Sequence, residues 1–249
     1  ERSISDYAAD ISFVGSLYNE KEKWLQAEGI PEYVRGYLEG IEEAQIRIYG
    51  YNFVKEMIDE QVARDILQKA DLLLNDLYFD NPVQLVADLV NWEISQKERI
   101  RVIERLAGQY PIHLYTQSPF EAGDNIKLCG AVDYQREMPL VFHNSKINLQ
   151  ITSKTIETGI SQRVLDILAC GGFCLANYQP EIAEYFEDGK ELVMYTDMED
   201  LVRKADWYLK HDEERVAIAR AGCEKVREQF SMKDRLAYIL ETVEENWNG

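Results

Sequence analysis

Basic residues are in short supply. The chain of 249 residues carries 27 Lys and Arg against 45 Asp and Glu, a formal net charge of −18. Nucleic acids and anionic membranes both need a basic face, so neither is expected as a partner, although a local basic pocket for a phosphate stays compatible with this balance. Long apolar runs are missing too. No stretch approaches the ~20 residues of a membrane span, and the N-terminus lacks a basic segment leading into an apolar one. Cysteine is scarce: Cys129, Cys170, Cys174 and Cys223 have neither metal-ligand spacing nor the density of a secreted disulfide scaffold. Reduced thiols and a cytoplasmic location follow as expectations. No Asp-x-Asp metal motif occurs, and neither a metal nor a resident cofactor is expected. Glycine is absent between Tyr51 and Ala107, which favours helix there.

What remains is the composition of an ordinary folded protein, 46% hydrophobic and 29% charged. The first strand signal is "DISFVGS", Asp10 to Ser16. From about residue 20 to 107 the periodicity is helical, as in "ILQKADLLLNDL" and "KERIRVIERLAG", with a break expected at Pro82. Beyond Gly108 the texture becomes short β/α alternation. Strands are expected at 111–116, 126–132, 146–152, 173–177 and 191–195, with helices between them and three more at 198–210, 213–229 and 232–245. The pattern predicts a single α/β domain over 1–249. It would be a Rossmann-like parallel sheet of about six strands with helices on both faces and a helical insertion, 20–107, after the first strand. Such sheets bind ligands beyond the carboxyl ends of their strands.

The stretch "GISQRVLDILACGGFCLANYQPEI", Gly159 to Ile182, contains a short amphipathic helix, a glycine pair and an apolar strand. Two readings of it stay open on spacing alone. In one, Arg163 and Asp166 are an exposed i, i+3 pair and Gly171–Gly172 is a helix C-cap. In the other, Gly159, Ile160 and Ser161 present free N–H groups at a helix start to a phosphate. Arg163 then adds charge for a diphosphate, and Asp166 accepts hydrogen bonds from vicinal hydroxyls.

The block "HNSKINLQITSKTIETGISQRVLDILACGGFCLANYQPEIAEYFEDGKELVMY", His143 to Tyr195, resembles the C-terminal half of the spore-maturation CgeB-like glycosyltransferases. "DISFVGSLYNEK" resembles the first strand and loop of that same domain, and "YLKHDEERVAIARAGCEKVREQFSMKDRL" resembles its closing helices. The resemblance implies the donor-binding domain of a GT-B-type glycosyltransferase. The donor diphosphate would sit on the N-terminus of the helix from Ser161, with Asp166 holding the ribose. Gly15 and Ser16 would face the same cleft, and Asn177 and Glu181 would lie near the donor. Where paired-glutamate relatives carry a glutamate eight residues before Asp166, this chain has Thr158. A GT-B enzyme has two such domains, so an N-terminal domain is expected to be missing here; a chain beginning at Glu1 fits a fragment. The expected partners are a nucleotide sugar and an unknown acceptor. Two rivals remain: a nucleotide-sugar epimerase-like enzyme on the same fold, and a non-catalytic binding or assembly module built on the helical insertion.

Overall fold

Six strands form one sheet in the computed structural model, which describes residues 3–19, 29–69 and 81–247. They are β1 (Ala9–Val14), β2 (Ile112–Tyr115), β3 (Ile126–Leu128), β4 (Ser145–Gln150), β5 (Cys174–Asn177) and β6 (Val193–Tyr195). Every pairing is parallel, in the order β3-β2-β1-β4-β5-β6. The helices, in chain order, are α1 (Glu32–Ile46), α2 (Glu60–Lys69), α3 (Pro82–Ala107), α4 (Met138–Asn144), α5 (Gln162–Ala169), α6 (Pro180–Tyr185), α7 (Met198–Lys210), α8 (Asp212–Gln229) and α9 (Met232–Trp247).

The two-residue period of the strands sorts side chains between the two faces of the sheet. Ile11, Phe13, Ile112, Leu114, Ile147, Leu149, Leu175 and Val193 share one core with Val102, Ile103 and Leu106 of α3 and Leu201 and Ala205 of α7. Cys174, Ala176 and Met194 face the other way. They pack with Val141 and Phe142 of α4, Val164, Ile167 and Leu168 of α5, and Val226 of α8. Helices thus cover both faces, as a parallel sheet requires. The expected strands are all present, each trimmed at one end or both. The run expected to 132 stops at Leu128, shortly before Gly130 turns the chain at φ +68°. The run expected from 191 begins at Val193, because Glu191 is engaged off the sheet by Lys225 at 3.0 Å.

Between β1 and β2 the described elements are helices, and they build a core of their own from Leu38 and Ile41 of α1, Ile66 and Leu67 of α2, and Val86, Val90 and Ile94 of α3. At the expected break, Pro82 starts α3. It occupies the first turn, where its missing N–H costs nothing, behind Asn81, whose side chain accepts from the Gln84 N–H at 3.0 Å. The remainder of the periodic stretch 66–77 and the residues Glu20 and Lys21 of the first loop lie outside the described residues.

The glycine pair ends α5. Gly171 takes φ +72°, the Gly171 N–H donates to Leu168 O at 2.9 Å, and the Gly172 N–H donates to Ile167 O at 3.0 Å. This double closure is a Schellman motif. Gly172 also admits β4: a Cβ there would lie 2.7 Å from both Asn148 Nδ2 and Phe142 O. The pair is therefore a cap and a packing point.

Candidate functional site

The sheet order places β1 beside β4, with the chain running outward through β2 and β3 on one side and through β5 and β6 on the other. That is a topological switch point, where the loops leaving the two central strands diverge and leave a crevice. A cleft of about 360 Å³ lies there, lined among others by Gly15, Ser16, Tyr18, Arg99, Gln150, Ser153, Ser161, Arg163 and Asp166. A second lobe of about 270 Å³ shares Gly15, Ser16, Tyr134 and Arg163 with it and extends over Thr116, Ala131, Val132 and Met138.

Each rim is held by hydrogen bonds. On the β1 side the Gly15 N–H donates to Tyr115 O at 3.0 Å, prolonging the β1–β2 ladder by one residue. Ser118 Oγ accepts from the Leu17 N–H at 2.8 Å, and Ser16 Oγ accepts from the Tyr18 N–H at 2.9 Å. On the β4 side Gly159 turns at φ +89°, a conformation that favours glycine, and leads into α5. Ser161 precedes the first turn, but its hydroxyl does not cap the helix; it accepts instead from Gln150 Nε2 at 3.1 Å. The first N–H groups of α5 consequently open toward the cleft with no side-chain acceptor, the arrangement that binds an anion.

The polar face of α5 points into this space. Arg163 Nη1 lies 3.4 Å from Asp166 Oδ2, contacts Met138 Sδ, and its guanidinium sits 5.7 Å from the Phe142 ring centroid. Tyr134 donates to Asp166 Oδ1 at 3.0 Å and accepts from Gln162 Nε2 at 2.9 Å. The hydrogen bond to Asp166 holds the pKa of the Tyr134 phenol above its ordinary value. Arg163 and Asp166 are an i, i+3 ion pair, and that pair lines the cleft.

Gly15, Ser16, Ser161, Arg163 and Asp166 converge on the cleft. Gly159 and Ile160 shape its entrance without lining it, Ile160 packing half-buried against the α4–α5 core. Asn177 and Glu181 are not among the lining residues. Asn177 is fully buried at the end of β5, where its Oδ1 accepts from the Thr152 N–H at 2.8 Å and so braces the β4 loop from behind. Glu181 stands in the first turn of α6 with Oε2 buried and without a hydrogen-bond partner. Ser145 and Lys146, at the start of β4, lie at the opposite end of the sheet, where Lys146 pairs with Asp10 at 2.7 Å.

Lining residues that were not anticipated include Tyr18, Arg99, Tyr134 and Gln150. Arg99 comes from α3, within the helical segment. Its neighbour Glu98 is fully buried 3.4 Å from Lys154 Nζ, which also sits 4.6 Å from the Tyr49 ring centroid. Burial pushes the Glu98 carboxyl up, and Lys154 pulls it back. Ser95 Oγ accepts from the Lys154 N–H at 2.8 Å, and Asn52 Nδ2 donates to Lys154 O at 2.9 Å. The helical segment thereby fastens the loop that leads from β4 to α5.

Among the described residues no group of three or more His, Cys, Asp or Glu is placed to hold a metal ion, and no helix is long and apolar enough to cross a membrane. None of the four cysteines forms a disulfide, and burial pushes the Cys174 thiol up to about 12.

Comparison with known proteins adds three relatives. An uncharacterized protein of Aquifex aeolicus (strain VF5) is 27% identical over 128 residues, covering 50% of this chain and 31% of its own length, so the chain matches less than a third of that relative. Anabaena HepE, solved in complex with UDP, is 12% identical with a TM-score of 0.48, covering 85% of this chain and 77% of that one. A variant of S. aureus TarM, solved with fondaparinux, α-GlcNAc-glycerol and UDP, is 15% identical with a TM-score of 0.46, covering 57% of this chain and 32% of that one. The family described as glycosyl transferase-like matches residues 94–241, from the cleft-facing half of α3 through β6 and into α9, and the chain belongs to that family.

Proposed function

We propose that this chain is the donor-binding domain of a GT-B-type glycosyltransferase of the CgeB-like kind, taking a sugar from a nucleoside-diphosphate sugar. The observation that carries the reading is the meeting of the open N-terminus of α5, with Arg163, and the Gly15–Ser16 loop in one cleft at the switch point. The diphosphate takes the lobe that holds these groups. The ribose lies over Asp166, displacing the Tyr134 hydroxyl or sharing the carboxylate with it, and the base enters the less polar lobe over Ala131, Val132 and Met138. As the bond from the anomeric carbon to the diphosphate oxygen breaks, negative charge grows on the leaving group. The helix N–H groups and the Arg163 guanidinium stabilise that charge more strongly than they bind the intact donor, which is the requirement for catalysis. On this reading the transfer needs no metal. The acceptor site, with whatever base the reaction uses, belongs to a partner domain, and the cytoplasm is the proposed setting.

The test is calorimetric titration of the chain with UDP, GDP, ADP and dTDP, alongside Arg163→Ala and Asp166→Ala. One nucleotide is expected to saturate, and each substitution is expected to weaken it roughly ten-fold or more, the usual scale for hydrogen bonds to charged groups. Folded protein that binds none of the four at millimolar concentration would overturn the reading for this chain.

A further inference from the structure

Arg99 is 8% exposed and sits beneath the cleft, not at its mouth. Its Nη1 donates to Ser16 O, and its Nη2 donates to Ile151 O at 2.8 Å. These carbonyls lie just beyond the ends of β1 and β4, the two strands that flank the switch point. One guanidinium therefore ties together both rims of the cleft, using the planar fork that only arginine offers.

Its surroundings do not neutralise it. The two carbonyls are uncharged, and Glu98, the acidic neighbour on the same helix, is already engaged by Lys154 at 3.4 Å. Counting these three buried side chains, one positive charge is left over. Arg99 Nε is buried and has no hydrogen-bond partner. The Phe13 and Tyr18 ring centroids lie 5.7 and 4.3 Å from the guanidinium carbon, so aromatic faces supply part of the missing compensation. Tyr18 holds its place at φ +62°, and among the described residues no other non-glycine residue has a positive φ. Strain of this kind persists where the surroundings enforce it, and it concentrates at ligand sites. A buried, uncompensated cation under an open cleft is costly to the empty protein, and the cost falls when an anion enters.

We infer that Arg99 is a positioning residue for the donor's diphosphate: it fixes the Gly15–Tyr18 and Ile151–Ser153 loops as the two walls of the site and holds a permanent positive charge below the phosphates. The inference rests on the donor-site reading above and adds to it a residue from a separate part of the chain. Arg163 and the helix N-terminus meet the ligand from the side, and Arg99 supports them from underneath.

The experiment compares two ligands, the free nucleoside and its diphosphate, on the wild type, Arg99→Gln and Arg99→Lys, with the base found in the titrations above. Arg99→Gln is expected to weaken the diphosphate roughly ten- to hundred-fold, while nucleoside affinity stays within about two-fold. Arg99→Lys keeps the charge and loses the fork, and is expected to recover a substantial part of the preference for the diphosphate. A merely structural role would lower both affinities together, in step with the melting temperature. An unchanged diphosphate-to-nucleoside ratio in Arg99→Gln overturns the inference. So does an Arg99→Lys variant whose diphosphate affinity falls roughly a hundred-fold or more below the wild type, a comparison that holds even if Arg99→Gln does not fold. If the wild type itself fails to prefer the diphosphate, the donor-site reading falls and this inference with it. If Arg163→Ala weakens the diphosphate and Arg99→Gln does not, the inference about Arg99 alone falls.

Discussion

On the α4–α5 face of the sheet, the buried polar side chains of β1 and β4 satisfy one another. Ser12 donates to Asn148 Oδ1 at 2.9 Å, and Asn148 Nδ2 donates to Phe142 O at 2.9 Å and to Phe173 O at 3.2 Å. Along α3 the same depth of burial is given to charge. Glu98 faces Lys154, Arg99 sits on backbone carbonyls, and Glu42 of α1 is fully buried against Lys97 of α3. Neutral hydrogen-bonded seams cost little to bury, whereas buried ion pairs contribute weakly to stability and lose much when one partner is removed. The sheet half is built for cohesion. The helical segment between β1 and β2 holds charges at fixed positions, and some of them lie beneath the cleft.

The sharpest way to break that contrast is to strip one charge from the buried pair. Glu98→Ala leaves Lys154, 7% exposed, without its carboxylate. A loss of ~3–5 kcal/mol is expected in chemical denaturation. The double substitution Glu98→Met with Lys154→Met should restore most of that stability, because it removes both desolvation costs at once. If the double variant is as unstable as the single one, the pair is a true contributor to cohesion and the contrast between the two halves disappears.

A smaller effect is expected on the sheet side. Gly172→Ala places a Cβ 2.7 Å from Asn148 Nδ2 and from Phe142 O, 3.1 Å from Ile167 O. These are backbone atoms and a committed amide, so the contact cannot relax by a simple rotamer change, and ~1–3 kcal/mol should be lost. Gly171→Ala meets only His143 Nδ1 at 3.7 Å but must hold φ +72°, so about 1 kcal/mol is expected there. Thermal unfolding of the two variants separates close packing from backbone conformation. Equal losses would mean that the Schellman turn, not the approach of β4, is what the pair serves.

The same contrast explains what could be read from the chain beforehand. Sheet strands announce themselves in a few residues: "DISFVGS" and "KINLQIT" alternate or run apolar over a span that one window covers. The α5 part of the cleft was legible for the same reason, since Gly159, Ser161, Arg163 and Asp166 lie within eight consecutive positions and one helix start relates them. Tyr18, Arg99, Tyr134 and Gln150 come together from four distant places, and nothing local links them. For Arg99 a signal did exist. Asn91, Ile94, Ser95, Glu98, Arg99, Val102, Ile103 and Leu106 are buried on α3 with a continuous three- and four-residue spacing. Glu98 and Arg99 therefore stand on the core-facing stripe of the helix. Charged residues on such a stripe mark positions where the fold tolerates burial for a reason other than cohesion. Asn177 illustrates the opposite error. A polar residue at a strand's carboxyl end resembles a site residue, but here its amide turns inward to the Thr152 backbone.

The mildest expected effect lies where α1 meets α3. Glu42 Oε1 and Glu93 Oε1 are both buried without a hydrogen-bond partner when both groups are counted as carboxylates. A single proton shared between them satisfies both: protonated Glu93 donates to Glu42, whose other oxygen contacts Lys97. Burial and then the Glu42 charge raise Glu93 to about 8. A carboxyl raised in the folded state contributes stability that is complete below its unfolded value, near 4.5, and is lost as pH rises through 8. Stability should therefore decline between about pH 5 and pH 8. Glu93 keeps part of its surface toward water, so the decline is expected on the order of 1–2 kcal/mol. Glu93→Gln retains an N–H donor for Glu42 and removes the titration. Its denaturation midpoint should match the wild type near pH 5, exceed it near pH 8, and vary less between the two. A wild type and a Glu93→Gln variant with parallel pH profiles would show that the two carboxylates share no proton.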